Sequence, residues 1–179
     1  FLVLYWPGLA GAFTLSTSVE AITIPAVGGT FTPVNFENTY TSPVVACTYN
    51  LASSANNEAG VRIQSAGPTG MQVRIQRPRN SAAVTPGTVF CIVAEEGVNT
   101  LPDGRRIEAR RVLSTVTHGR RVPLGFGNGS PATMQNVSGQ FSGFTNPFVL
   151  GQVMTFNDTT FTTFHSNDCD DRRNPPYDA

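Results

Sequence analysis

Groups able to do chemistry are sparse in this chain. Its 179 residues include two histidines, His118 and His165, in separate segments. Nucleophilic hydrolysis needs a histidine beside a serine or cysteine, with an acid to orient it. No nucleophile-elbow or cysteine-protease pattern accompanies either histidine. All twelve basic residues are arginine, which excludes Schiff-base chemistry, a lysine general base and a Walker-type phosphate grip, since each needs a primary amine. Glu95 and Glu96 are adjacent, so in a strand they point to opposite faces and cannot act as a pair. A glycosidase can draw its two carboxylates from distant positions, but nothing selects such a pair here. Zinc is poorly served, with no Cys-x-x-Cys and no His-x-x-x-His. The densest set of oxygen ligands is Asp158 with Asn167, Asp168, Asp170 and Asp171. Carboxylates and carbonyls on a flexible loop suit a hard cation, so these residues are the candidate Ca2+ ligands. They lack the glycine and distal glutamate of an EF-hand loop, and a solvated acidic turn neutralised by Arg172 and Arg173 is the alternative. The expectation is a protein that is not an enzyme, with calcium as the cofactor to consider.

Three cysteines, Cys47, Cys91 and Cys169, allow at most one bridge within the chain. Cys47 and Cys91 lie in apolar, strand-like runs, PVVACTYN and TVFCIVAEE. A disulfide across neighbouring strands and a pair of buried free thiols both remain open for them. The basic residues balance twelve acidic ones, so the chain as a whole has no field to collect nucleic acid or an anionic membrane. Six arginines between 105 and 121 form one locally basic stretch. In an alternating hairpin the members of each Arg-Arg pair face opposite ways, so an exposed connecting ribbon is expected there.

The elements that must carry these residues are short strands. Alternation and apolar runs predict strands over 30–36, 43–49, 60–64, 71–76, 88–95, 107–114, 148–156 and 161–164, and almost nothing competes for helix. Between them lie Gly28-Gly29, Gly67-Pro68, Thr85-Pro86-Gly87, Pro102-Asp103-Gly104 and Gly127-Asn128-Gly129, which favour turns through preset or positive φ. The fold class expected is all-β, an antiparallel β-sandwich with short strands and Gly/Pro-rich turns. Two identical tetrapeptides, Val61-Arg62-Ile63-Gln64 and Val73-Arg74-Ile75-Gln76, read as a hairpin. Its valines and isoleucines would face a core and its arginines and glutamines would face solvent. Val89 to Ala94 is instead apolar on both faces, as suits a central strand or one covered by a second subunit.

A weak internal repeat matches Tyr40-Thr41-Ser42-Pro43-Val44-Val45 with Phe144-Thr145-Asn146-Pro147-Phe148-Val149. Two related halves of one larger unit, or a second copy cut short, would each explain it. The first twelve residues, FLVLYWPGLAGA, are apolar, too short to span a bilayer, and end in a small-residue pattern of the kind cut by signal peptidase. The expected organisation is a signal-peptide remnant over 1–12, a β-sandwich domain over 13–118, and a second, related β unit over 119–179 that is truncated after NPPYDA. Secretion or cell-surface display follows, with no membrane insertion once the signal is removed.

The order of Tyr40, Thr41-Ser42-Pro43-Val44-Val45, a loop, Val61-Arg62-Ile63-Gln64, Gly70-Met71-Gln72-Val73-Arg74-Ile75 and the apolar strand Val89 to Glu95 resembles the H-type lectin domain. Within that family it looks closest to divergent copies carried by large, repetitive secreted proteins of bacteria. The resemblance covers about residues 28–97. It implies a compact antiparallel sandwich that assembles into homo-oligomers and binds glycans at subunit boundaries. The family's tryptophan in the last strand is replaced by Cys91, and none of its sugar-contacting residues maps onto a position here. The functional expectation is a non-catalytic extracellular binding module, carbohydrate-binding, within a larger surface or adhesive protein. The alternative is a structural, self-associating spacer without a ligand.

Overall fold

The computed structural model of the chain describes residues 11–50, 59–77, 83–113, 150–157 and 159. Its regular elements are all strands: β1 Gly11–Ser16, β2 Val19–Val27, β3 Thr32–Asn35, β4 Pro43–Tyr49, β5 Gly60–Gly67, β6 Gly70–Gln76, β7 Gly87–Glu95, β8 Gly97–Thr100 and β9 Arg106–Ala109. A larger sheet has the order β1-β2-β7-β4, a smaller one the order β3-β6-β5, and β8 and β9 form a separate hairpin. Every pairing is antiparallel. Among the described residues no helix is long and apolar enough to cross a membrane.

Period-two alternation divides each sheet into a dry side and a second side. On the larger sheet Ile22 and Ile24 of β2, Val89, Cys91 and Val93 of β7, and Val45 and Tyr49 of β4 enter the main core. Val61 and Ile63 of β5, Val34 of β3, and Met71, Val73 and Ile75 of β6 join the same cluster from the smaller sheet. The hairpin expected from the repeated tetrapeptides is present, with Ile63 opposite Val73 and Val61 opposite Ile75. The smaller sheet pairs closely at Gly70, where an added Cβ would run into the Val34 carbonyl. Ala26 and Ser65 take positive φ where the pairings of β2 with β7 and of β5 with β6 shift register, as bulged strands do.

β7 is central, between β2 and β4, which accounts for its apolar character. Cys47 of β4 lies directly opposite Cys91 of β7. The two are joined by a disulfide across a Cα separation of 4.1 Å, the close approach of a non-hydrogen-bonded antiparallel pair. The bridge sits against the main core, with Cys91 inside it and Cys47 at its margin.

Several expectations are corrected. β1 and β2 form a paired hairpin where no strand was expected, and β8 pairs with β9. β1 begins at Gly11, and residues 1–10, most of the anticipated signal remnant, lie outside the described residues. The strand expected over 148–156 is absent from its described part. Residues 150–156 have no strand structure and dock instead through their side chains. The segment expected to form a strand over 161–164 lies outside the described residues, as does nearly all of the anticipated second unit over 119–179.

The bridge closes a loop between residues 44 positions apart, and a cross-link of that span restricts the unfolded chain. Replacing Cys47 and Cys91 together by alanine is expected to lower unfolding free energy by about 2–5 kcal/mol. Urea melts of the variant and the parent check this, and coincident midpoints would contradict it.

Candidate functional site

The segment between β3 and β4 is fastened by carboxylates. Glu95, at the end of β7, accepts hydrogen bonds from two consecutive amides, Thr41 at 2.7 Å and Ser42 at 2.6 Å. Glu96 accepts the Ser42 hydroxyl at 2.9 Å and the Arg111 amide at 3.2 Å, while its own amide donates to the Ser42 carbonyl. Strand geometry alone would send these neighbours to opposite sides. They converge on Ser42 because β7 ends in a bend at Glu96, followed by Gly97 at φ 119°, a left-handed conformation suited to glycine. The Glu95 and Glu96 side chains therefore act together, in positioning a turn. Glu20, fully buried, accepts the Glu37 amide at 2.8 Å. Tyr40 lies beside it and donates to the Val93 carbonyl at 3.5 Å. Burial is the main cause that pushes the Tyr40 phenol up to about 12, so it remains a donor at neutral pH.

Glu20, opposite Val93, and Tyr40, within the main core, belong to the core side of the larger sheet; its other side is turned away from that core. Register places its side chains in rows: Val19, Ala94 and Val44; then Ala21, Ile92 and Ala46; then Thr23, Phe90 and Thr48. The first row is roofed by the β8–β9 hairpin, where Val19, Ala94 and Ala109 form a second buried cluster with Val44, Leu101 and Ile107 against it. The other two rows are open. Phe90 is 43 % exposed and Ile92 36 %, with alanines beside the isoleucine and threonines beside the phenylalanine. Among the described residues no ionisable side chain belongs to these rows. An aromatic ring with a hydroxyl on either side can stack against an apolar ligand face and hydrogen-bond at its edges.

The smaller sheet treats its second side differently. Arg62 and Arg74 lie directly opposite each other on β5 and β6, but they do not face solvent as alternation suggested. Arg62 is 0 % exposed and Gln76 4 %, because residues 150–157 lie across them. Phe156 puts its ring centroid 4.7 Å from the Arg62 guanidinium and 4.4 Å from that of Arg74. Phe31 meets Arg74 at 5.0 Å and Phe156 edge-on at 5.1 Å. Arg62 donates to Gln76 at 2.8 Å, and Gln76 donates to the Thr159 carbonyl at 3.0 Å. Desolvation pulls the Arg74 guanidinium below its ordinary value. The segment is further held by Gln152, which donates to the Val61 carbonyl at 3.0 Å, and by Met154, whose sulfur accepts the Val45 amide at 3.5 Å. Alternation identifies which side of the sheet the arginines occupy. It carries no signal for a cover supplied from far along the chain.

The candidate calcium ligands Asp158, Asn167, Asp168, Asp170 and Asp171 lie outside the described residues, as do His118, His165 and Cys169. Among the described residues no group of three or more His, Cys, Asp or Glu side chains could hold a metal ion. The basic stretch is dispersed where it is described. Arg105 pairs with Asp103, Arg110 pairs with Glu108, and Arg111 reaches the Ser42 hydroxyl at 3.2 Å. Comparison with protein families, curated proteins and solved structures finds no match to this chain.

The Glu96 carboxyl is held below the usual carboxylate range, first by the Ser42 hydroxyl and then by the Arg111 amide. The folded state thus favours its charged form, and that contribution is present above the unfolded pKa and lost as pH falls through the folded one. Melting temperature followed from about pH 5 to about pH 3 is expected to fall less steeply for Glu96→Gln than for the parent. Parallel profiles would contradict the assignment.

Proposed function

We propose that the chain is a non-catalytic extracellular binding module, a β-sandwich within a larger surface or adhesive protein, with carbohydrate as its ligand class. The observation that carries this is Phe90, 43 % exposed on a sheet and flanked in register by Thr23 and Thr48. The C–H face of a pyranose can lie on such a ring while sugar hydroxyls exchange hydrogen bonds with the threonines. The surface is shallow and without charge, so each contact is weak. Useful avidity then comes from several copies held together, as the H-type lectin resemblance implies for homo-oligomers and a repetitive protein supplies directly. The disulfide between Cys47 and Cys91 supports export, since such bridges persist in oxidising compartments. A glycan array probed with the full chain is expected to show saturable binding to a defined set of neutral sugars. Phe90→Ala should reduce that binding at least tenfold, about 1.4 kcal/mol, without loss of the cooperative melt. A blank array, or binding indifferent to Phe90→Ala, would sink the proposal.

Self-association is favoured by a different feature of the same surface. Ile92 stands between Ala21 and Ala46 in register, a ridge between two shallow rows that a second copy could complement. Sedimentation velocity is expected to show concentration-dependent dimers that Ile92→Asp abolishes. A monomer at every concentration would remove this reading.

A further inference from the structure

A strand at the edge of a sheet carries unpaired N–H and C=O groups and invites pairing with another chain unless something blunts it. The two main sheets end on β1, β4, β3 and β5. β4 opens with Pro43, which has no N–H, and its Val45 amide donates to the Met154 sulfur. β3 contains Pro33. β5 carries Arg62, has its Val61 carbonyl taken by Gln152, and ends in a bulge where Ser65 takes positive φ. β1 pairs with β2 alone among the described residues. It shifts register between Thr14 and Ser16, but the run Gly11 to Thr14 ahead of that shift holds no proline and no charged residue.

Hydrogen bonding fixes which backbone groups of β1 face outward. The Glu95 amide donates to the Ser18 carbonyl at 2.8 Å, and the next amide, Glu96, to the Ser42 carbonyl at 3.0 Å. Direction alternates along an antiparallel strand, so odd-numbered residues of β7 bond towards β2 and even-numbered ones towards β4. Cys91 and Val93 thus bond with Ile22 and Glu20, which leaves Ala21 and Thr23 to bond with Phe13 and Gly11. Ala12 and Thr14 turn their N–H and C=O groups to the outer edge. Beyond them, the Ser16 carbonyl already accepts the Asn38 side-chain amide at 3.0 Å.

We propose that β1 pairs antiparallel with β1 of a second copy of this chain, about a two-fold axis at Phe13. Ala12 of each copy then lies opposite Thr14 of the other and exchanges both hydrogen bonds with it, so the edge is complementary to itself. No charge on Gly11 to Thr14 opposes the approach. By register Phe13 falls in the row of Ala21, Ile92 and Ala46. The pair therefore joins two larger sheets into one and sets their Phe90 surfaces on the same side. Edge pairing stands on the backbone of β1, whereas its use in multiplying weak sugar contacts rests on the carbohydrate reading above. It leaves Ile92 uncovered, unlike the face contact considered there.

So short a contact is read by covalent trapping. Residues facing each other at the axis come about 4.5 Å apart between Cα atoms, within reach of a disulfide. The two Thr14 positions stand on a diagonal at about 7–8 Å, beyond that reach. In the full chain carrying Cys169→Ser, Phe13→Cys treated with oxidised glutathione is expected to give a covalent dimer on non-reducing gels, in about tenfold greater yield than Thr14→Cys. Adding Thr14→Pro, which removes an outward amide, should cut that yield about tenfold, and adding Ile92→Asp should leave it unchanged. No dimer from a folded Phe13→Cys chain, an equal yield from Thr14→Cys, a yield indifferent to Thr14→Pro, or one lost with Ile92→Asp would overturn the proposal. Where the cysteine variant does not melt cooperatively, amide exchange of the parent chain serves. Ala12 and Thr14 should then exchange more slowly at high protein concentration than at low, and exchange independent of concentration would refute the pairing. The glycan array reports the Phe90 surface separately, so a blank there leaves this result interpretable.

Discussion

The register of β7 between β2 and β4 is the constraint on which the rest depends. Side chains on a strand alternate with a period of two, so a slip by one residue would exchange every inward group for an outward one. Cys91, Val89 and Val93 would leave the core, and Phe90 and Ile92 would enter it. The disulfide from Cys91 to Cys47 pins this register covalently on one side. On the other, Ile22 and Ile24 of β2 pack into the core beside Cys91 and Val89. Hydrophobic burial sets the pattern and the bridge prevents its displacement.

Once that register is set, each sheet has a second side to manage, and the chain does so unevenly. The β8–β9 hairpin roofs one end of the larger sheet through Ala109, Ile107 and Leu101. Glu95 and Glu96, at the bend leading into that hairpin, reach back to Ser42, so the roof and the start of β4 are tied to one another. The rest of that side stays open around Phe90. On the smaller sheet residues 150–157 cover the polar side by side-chain contacts, over a buried Arg62 and a half-buried Arg74 that face each other. The open surface and the covered one thus differ in charge as well as in access.

Much of this was legible in the residues. The run from Pro43 to Tyr49 predicts β4 to its ends, and the repeated Val-Arg-Ile-Gln predicts the β5–β6 hairpin with the correct side turned to the core. The apolar run around Cys91 announces a central strand. β2 was hidden because it carries Pro25 and the buried Glu20 among its apolar residues, and a proline argues against a strand in the middle of a sheet. The bulge near Ala26 accommodates that proline. The exposed appearance of Arg62 and Gln76 misled for another reason. Alternation reports which side a residue takes, whereas wetting depends on what else arrives there, and Phe156 arrives from far along the chain. The convergence of Glu95 and Glu96 was hidden likewise, because adjacent residues share a target only when the strand ends between them and bends.

On the proposed reading, the register of β7 presents Phe90, Thr23 and Thr48 as a surface for sugar. Solution NMR of the isotope-labelled full chain, titrated with a neutral glycan, tests it most directly. Saturable shifts are expected on Phe90, Ile92, Thr23 and Thr48, while Val89, Val93 and the residues beneath Phe156 stay still. Shifts centred on any other surface, or none at millimolar glycan, would contradict it.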